Sequence, residues 1–175
     1  MIELLILYVL ISHDLTMYGI HKRISENFSP YTSPSFGAIK PALVRLEKQE
    51  FITSTKIMSD GGKLSIYYSI TKEGLKELKN LLLKPLSSNP LQFLSDGRIK
   101  LSCCSFLDEQ ACLEMYNDIK SNALLHKVNA EKILNDEYTP LSFYQKIVLD
   151  NAICEYKNFI SMIEGLEKEN AGNSK

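Results

Sequence analysis

The chain has no tryptophan, which excludes a ligand pocket built by stacking between tryptophans. Glycine and proline are scarce, 8 and 6 in 175 residues, and 45% of the residues are hydrophobic. That composition argues against disorder, except over the polar end from Glu167 to Lys175. Nowhere do apolar residues run for the roughly 20 positions a membrane span needs. The apolar segment Met1 to Ile11 is too short, contains Glu3 and lacks the basic start of a secretion signal. The expectation is a soluble, cytoplasmic protein of one ordinary domain or two small ones.

Metal and nucleophile chemistry is equally thin. There are 3 histidines, and the 4 cysteines (Cys103, Cys104, Cys112 and Cys154) lie in apolar segments without paired metal-ligand spacing. They read as buried free thiols, because neighbours such as Cys103 and Cys104 rarely reach bridging geometry. No Gly-rich phosphate loop follows a strand, and no nucleophile elbow is present. No catalytic residue, metal or cofactor is expected.

Charge of one sign is lacking overall, with a formal net charge of -1. The total conceals a division: residues 1–84 hold 11 Lys+Arg against 8 Asp+Glu, and residues 85–175 hold 9 against 13. The first half is therefore mildly basic and the second acidic, a division that bears on nucleic-acid binding only together with the pattern of elements.

What is present centres on residues 34–49. Phe36, Ile39, Ala42, Leu43 and Leu46 recur at helical spacing and predict one buried stripe. The opposite side carries Gly37, Ala38, Pro41, Val44, Arg45 and Lys48, with Lys40 on the flank. Small residues and cations without carboxylates make a surface that can approach a polyanion. Pro41 is read in two ways: an interior break opposite Gly37, or a tolerated first-turn proline.

Around this helix the pattern predicts helices over Met1 to Ile11 and roughly Thr16 to Phe28, the second with Tyr18, Ile20, Ile24 and Phe28 inward. Phe51–Ser59 and Leu64–Ile70 alternate as strands joined by Asp60-Gly61-Gly62-Lys63, and Thr71 caps a helix bearing Leu75, Leu78, Leu81 and Leu82. Lys84 to Pro90 reads as a linker. Beyond it come a short helix from Leu91 to Cys104, a long one from about Leu107 to Leu134, and a last helix capped by Thr139-Pro140 and running to about Lys168. The expected domains are 1–84 and 91–175. Apolar positions on the last helix exceed what so small a chain can cover, so a second copy is the expected partner.

Three helices followed by a hairpin is the winged helix-turn-helix order. The run from Gly37 to Glu47, with Ser33-Pro34-Ser35 before it and Gly61-Gly62, Tyr67-Tyr68-Ser69-Ile70-Thr71 and Glu73-Gly74 after it, closely resembles the PadR family of bacterial transcriptional regulators. The resemblance covers residues 1 to about 83. It implies a mainly α fold with a small β-hairpin, in which a winged helix-turn-helix domain precedes a helical dimerisation domain. It also implies a homodimeric repressor that binds double-stranded DNA at a palindromic operator, with a small-molecule effector as a further partner acting through the helical half. DNA contacts are expected from Ser33, Ser35, Lys40, Arg45, Lys48, Lys63 and Tyr67. Phe93, Tyr116, Phe143 and Tyr144 are the candidate effector-binding aromatics, although aromatics at helical spacing more often form core. Three departures stand out: Lys40 where the family commonly has tyrosine, Ile66 where it has a basic residue, and Met17 where it has glycine. Without a cation at Ile66, the wing depends more on Lys63. The alternative is a winged-helix adaptor that binds protein and not DNA.

Overall fold

A computed structural model describes residues 1–58, 62, 64–138 and 140–173, with side chains through residue 169. Contacts divide the chain into two compact units, Met1–Lys84 with Ser95–Phe106, and Pro85–Leu94 with Leu107–Lys175. The expected division at the proline-rich linker differs from this in the placement of Ser95–Phe106.

The first unit is built on α1 (Ile2–Val9), whose Leu4, Leu5, Ile6 and Leu7 are all buried. A helix this apolar can only be a core element. Against it pack α2 (Met17–Phe28), α3 (Phe36–Lys48) and α4 (Lys72–Leu83). They contribute Ile20, Ile24 and Phe28, then Ile39, Ala42, Leu43 and Leu46, then Leu78 and Leu82. Each fully buried Leu, Ile or Phe adds about 1.5–3 kcal/mol of transfer free energy.

The hairpin joins β2 (Ile52–Met58) to β3 (Leu64–Ile70) in antiparallel register, from Ile52 opposite Ile70 to Met58 opposite Leu64. A third strand, β1 (Leu15–Thr16), pairs on the far side of β3 with Leu15 opposite Tyr68. The sequence reading had none there, because two residues carry no period. Thr16 ends β1 and also caps α2, its Oγ1 accepting from the Gly19 N–H at 3.1 Å. Most of the connecting turn lies outside the described residues; Gly62 within it has a φ of +74°.

The corner between α3, β2 and α4 is tight. Glu50 takes a φ of +60°, Thr71 Oγ1 donates to the Glu50 carbonyl at 2.8 Å, and the Thr71 N–H donates to the Phe51 carbonyl at 3.0 Å. Gly74 follows in the first turn of α4, where an added Cβ would stand 2.0 Å from the Phe51 carbonyl oxygen. Only glycine allows that approach.

Helix α5 (Pro90–Ser102) begins with Asn89 Oδ1 accepting from the Leu91 and Gln92 N–H groups, and Pro90 at the first position suits its missing donor. Its C-terminal part, in the first unit, buries Ile99 and Lys100, whose Nζ donates to the Lys84 carbonyl. A short 3-10 turn, Cys104–Phe106, follows. Burial, with Cys104 beside it, pushes the Cys103 thiol up to about 12, so it stays protonated at neutral pH. Cys103 and Cys112 are buried as expected, whereas Cys154 is exposed.

The second unit is an antiparallel-type pairing of two long helices, α6 (Glu109–Leu134) and α7 (Phe143–Asn173). Met115, Tyr116, Ile119 and Ala123 of α6 share its core with Ile153, Tyr156, Phe159 and Ile163 of α7. Lys120 Nζ donates to both carboxylate oxygens of Glu167, at 2.5 and 2.6 Å. The α7 cap is Ser142, not the expected Thr139-Pro140: the Gln145 N–H donates to Ser142 Oγ, and Gln145 Oε1 accepts from the Ser142 N–H. This reciprocal box is a Ser-x-x-Gln signature, three residues beyond the Thr-Pro pair. Thr139 itself lies outside the described residues. The helix also continues past Lys168, to Asn173.

Three substitutions test the packing of the core. Gly74→Ala is expected to lower stability by about 2 kcal/mol, since the Phe51 backbone has to move; an unchanged urea midpoint contradicts the close approach. Ile39→Ala is expected to cost about 2–5 kcal/mol and Phe36→Ala less than about 1 kcal/mol, because only Ile39 faces the interior. Equal losses would contradict the assigned faces.

Candidate nucleic-acid interface

Helix α3 buries one stripe and turns the other outward. Gly37, Ala38, Lys40, Pro41, Val44, Arg45 and Lys48 are all exposed, as are Ser33 and Ser35 before the helix. Pro41 sits inside the helix, beyond its first turn, which settles the choice left open by the sequence. It removes the N–H that would bond to the Gly37 carbonyl, and Gly37 is exposed, so water can satisfy that oxygen. Ser35 is the N-cap residue, but its hydroxyl makes no capping bond. Its carbonyl accepts from Ala38 and Ile39 at 3.0 and 3.1 Å. The foremost N–H groups of the helix therefore face outward, where its dipole favours an anion.

Two residues expected inside lie outside. Phe36, the first residue of α3, is 41% exposed, because a side chain there leans back past the helix start, where no core exists to receive it. Its ring stacks on His21 at 4.2 Å. Tyr18 is 68% exposed and lies parallel to the same ring at 6.4 Å. Periodicity held the signal for Tyr18: two positions before Ile20 is about 200° round the helix, away from the Ile20, Ile24 and Phe28 stripe. An aromatic ledge formed by α2 and the start of α3 thus adjoins the cationic face.

The three cations of α3 are not equivalent. Arg45 Nε donates to Glu3 Oε1 of α1 at 2.8 Å, so the face that looked free of carboxylates receives one from a distant segment. With Arg45 exposed and Glu3 partly so, the pair adds at most about 1 kcal/mol and leaves the guanidinium edge accessible. Lys40 and Lys48 make no ion pair among the described residues. Glu47, also exposed, accepts from Ser54 Oγ of β2.

On the wing, Tyr67 is half-buried in the central strand, between Thr16 of β1 and Thr55 of β2. Lys63 lies outside the described residues. The register reveals a cation that the sequence did not single out: Lys56 stands directly opposite Ile66 on the same face, where the side chains are neighbours. The charge missing at Ile66 is present across the hairpin. No single-strand pattern could have identified it before the register was known. Beyond it, Met58 and Leu64 form an exposed apolar tip.

The four candidate effector aromatics fall into two groups. Phe93 and Tyr116 are core residues of the second unit, and Phe93 meets His126 at 4.8 Å and Phe159 edge-on at 6.1 Å. Phe143 and Tyr144 are exposed at the start of α7 and contact each other. Tyr144 lines an apolar groove with Ile133, Val148 and Leu149. Among the described residues no helix is long and apolar enough to cross a membrane.

The sequence profile of the Transcriptional regulator PadR-like family matches residues 6–80. A PadR family transcription regulator from Clostridium difficile R20291 is 30% identical, over 46% of this chain and 81% of that one, with a TM-score of 0.41. Bacillus subtilis PadR in complex with operator DNA is 21% identical, over 95% of this chain and 96% of that one, with a TM-score of 0.47. The same regulator in complex with p-coumaric acid is 21% identical, over 97% and 98%, with a TM-score of 0.41. No curated protein matches. A family profile over the winged-helix segment, together with 30% identity across most of a family regulator, places this chain in the PadR-like family of transcriptional regulators.

Proposed function

We propose that the protein is a homodimeric, DNA-binding repressor that reads a palindromic operator with α3. The observation that carries this reading is the outer face of α3: exposed, built of small residues, and bearing Lys40 and Lys48 without carboxylate partners among the described residues. Gly37, Ala38 and Pro41 let the helix backbone come close to the groove, and the two lysines with Arg45 supply phosphate or base-edge donors. Ser33, Ser35 and the helix start add neutral donors. Tyr18 extends the surface along α2, and Tyr67 and Lys56 extend it along the wing, with Lys63 of the connecting turn as a further candidate contact from the sequence.

Dimerisation rests on the start of α7. Phe143, Tyr144, Ile147 and Val148 are all exposed there, Val148 by 70%. Beside them runs an open apolar groove of about 430 Å³ lined by Ile133, Leu141 and Leu149. A second copy covers such a face by two-fold symmetry and sets two α3 helices roughly 34–36 Å apart, one turn of duplex. A small-molecule effector belongs to the same reading.

The exposed wing tip of Met58, Leu64 and Ile66 favours a second reading, an adaptor that docks on protein. Salt separates the two, because neutralising phosphates releases counterions and docking on protein does not.

In anisotropy titrations of a duplex selected from random sequence, affinity is expected to fall steeply with salt. Lys40→Ala with Lys48→Ala is expected to reduce the slope of log affinity against log salt by about 2. An unchanged slope and affinity would remove α3 from the interface. Ile147→Glu with Val148→Glu is expected to convert a sedimenting dimer into a folded monomer; a wild-type monomer, or a variant that remains dimeric, contradicts the assigned clasp.

A further inference from the structure

The ion pair between Arg45 of α3 and Glu3 of α1 fixes the direction of a guanidinium as well as joining two helices. Glu3 lies in the first turn of α1, and the four residues after it are buried, so its carboxylate stands on a firm base. Arg45 Nε donates to Glu3 Oε1 at 2.8 Å, which uses one of the five guanidinium N–H groups. The terminal amino groups have no partner among the described residues, and the arginine side chain is 53% exposed. Along the same ridge of α3, Pro41 lies one turn before Arg45 and Ala38 two turns before it, both exposed and both small. A base edge can approach the guanidinium fork from that side without meeting a bulky neighbour.

Two physical consequences separate Arg45 from Lys40 and Lys48. A carboxylate at 2.8 Å cancels most of the local charge, so a phosphate gains little from this arginine and meets Glu3 as well. Lys40 and Lys48, without ion pairs among the described residues, suit phosphates better. The Nε bond also fixes the plane of the fork, and a fork already held loses little freedom on binding. A held, nearly neutral fork that only donates suits an uncharged edge with two acceptors side by side. In the major groove guanine presents that edge, with N7 and O6, whereas adenine sets a donor beside its N7 and thymine offers one acceptor.

We infer that Arg45 reads a guanine edge in each half-site, and that Glu3, which touches no DNA, is the residue that positions it. The inference deepens the DNA-reading function proposed above and rests on it for its target. It also runs against the simple electrostatic expectation for Glu3. A carboxylate beside a cationic face weakens attraction to any duplex, so its removal should only help binding. If Glu3 holds the fork, its removal instead costs sequence preference.

Anisotropy competition with the full chain tests this, using the duplex selected from random sequence and a set in which each base pair is changed in turn, identically in both half-sites. The unaltered protein is expected to lose about tenfold or more in affinity when one G·C pair becomes A·T, and a similar factor when 7-deazaguanine, which lacks the N7 acceptor, replaces that guanine. Arg45→Lys, which keeps the charge and loses the fork, is expected to level that preference. Glu3→Ala is expected to reduce it severalfold while affinity for random duplex stays level or rises. Glu3→Ala with every base preference intact would overturn the inference. So would an Arg45→Ala that weakens all duplexes uniformly and lowers the salt slope by about 1, as loss of a phosphate contact does. A protein that selects no duplex overturns it together with the DNA-reading function, whereas a selected duplex whose preferences ignore Glu3 and Arg45 overturns it alone.

Discussion

The burial of one stripe of α3 against α1 is the contact on which the rest depends. Ile39, Ala42, Leu43 and Leu46 have no other way to leave water, and α1 is so apolar that it accepts them along its length. Once that stripe is buried, the helical period sends Gly37, Ala38, Lys40, Val44 and Lys48 outward together. The charged face is thus a by-product of the core, held in place by every kcal/mol that the core supplies. Arg45, anchored by Glu3, ties the same two helices together from the surface.

Proline inside α3 fits that division of labour. It weakens the helix at its exposed side, where solvent can replace the lost bond, and leaves the buried stripe without a polar orphan. What the outer face gains is closeness: a surface of glycine, alanine and proline keeps side chains from holding the backbone away from a partner. The corner at Glu50, Phe51, Thr71 and Gly74 does the complementary task of fixing where the wing departs from α3.

Much of this was legible in the sequence because helical and strand periods are strong signals where elements are long. The buried stripes of α2 and α3, the alternation in the hairpin, the Thr71 cap and the long pair of C-terminal helices are all written at fixed spacing. What could not be read depends on contacts between distant segments. Glu3 beside Arg45 requires knowing how α1 crosses α3, and Lys56 opposite Ile66 requires the hairpin register. The two-residue strand β1 has no period at all. Phe36 and Tyr18 were misplaced for different reasons. The first sits at a helix end, where periodicity loses its meaning, and the second was grouped by hydrophobicity when its angle already excluded it.

Lysine-labelling mass spectrometry on the intact protein, with and without a selected duplex, tests the central claim most directly. The account predicts that duplex slows modification of Lys40, Lys48 and Lys56 while leaving Lys146 and Lys157 on α7, which are also exposed, unchanged. Labelling of Lys40 and Lys48 that is indifferent to duplex would contradict it, because the face that the core turns outward would then not be the face that meets DNA.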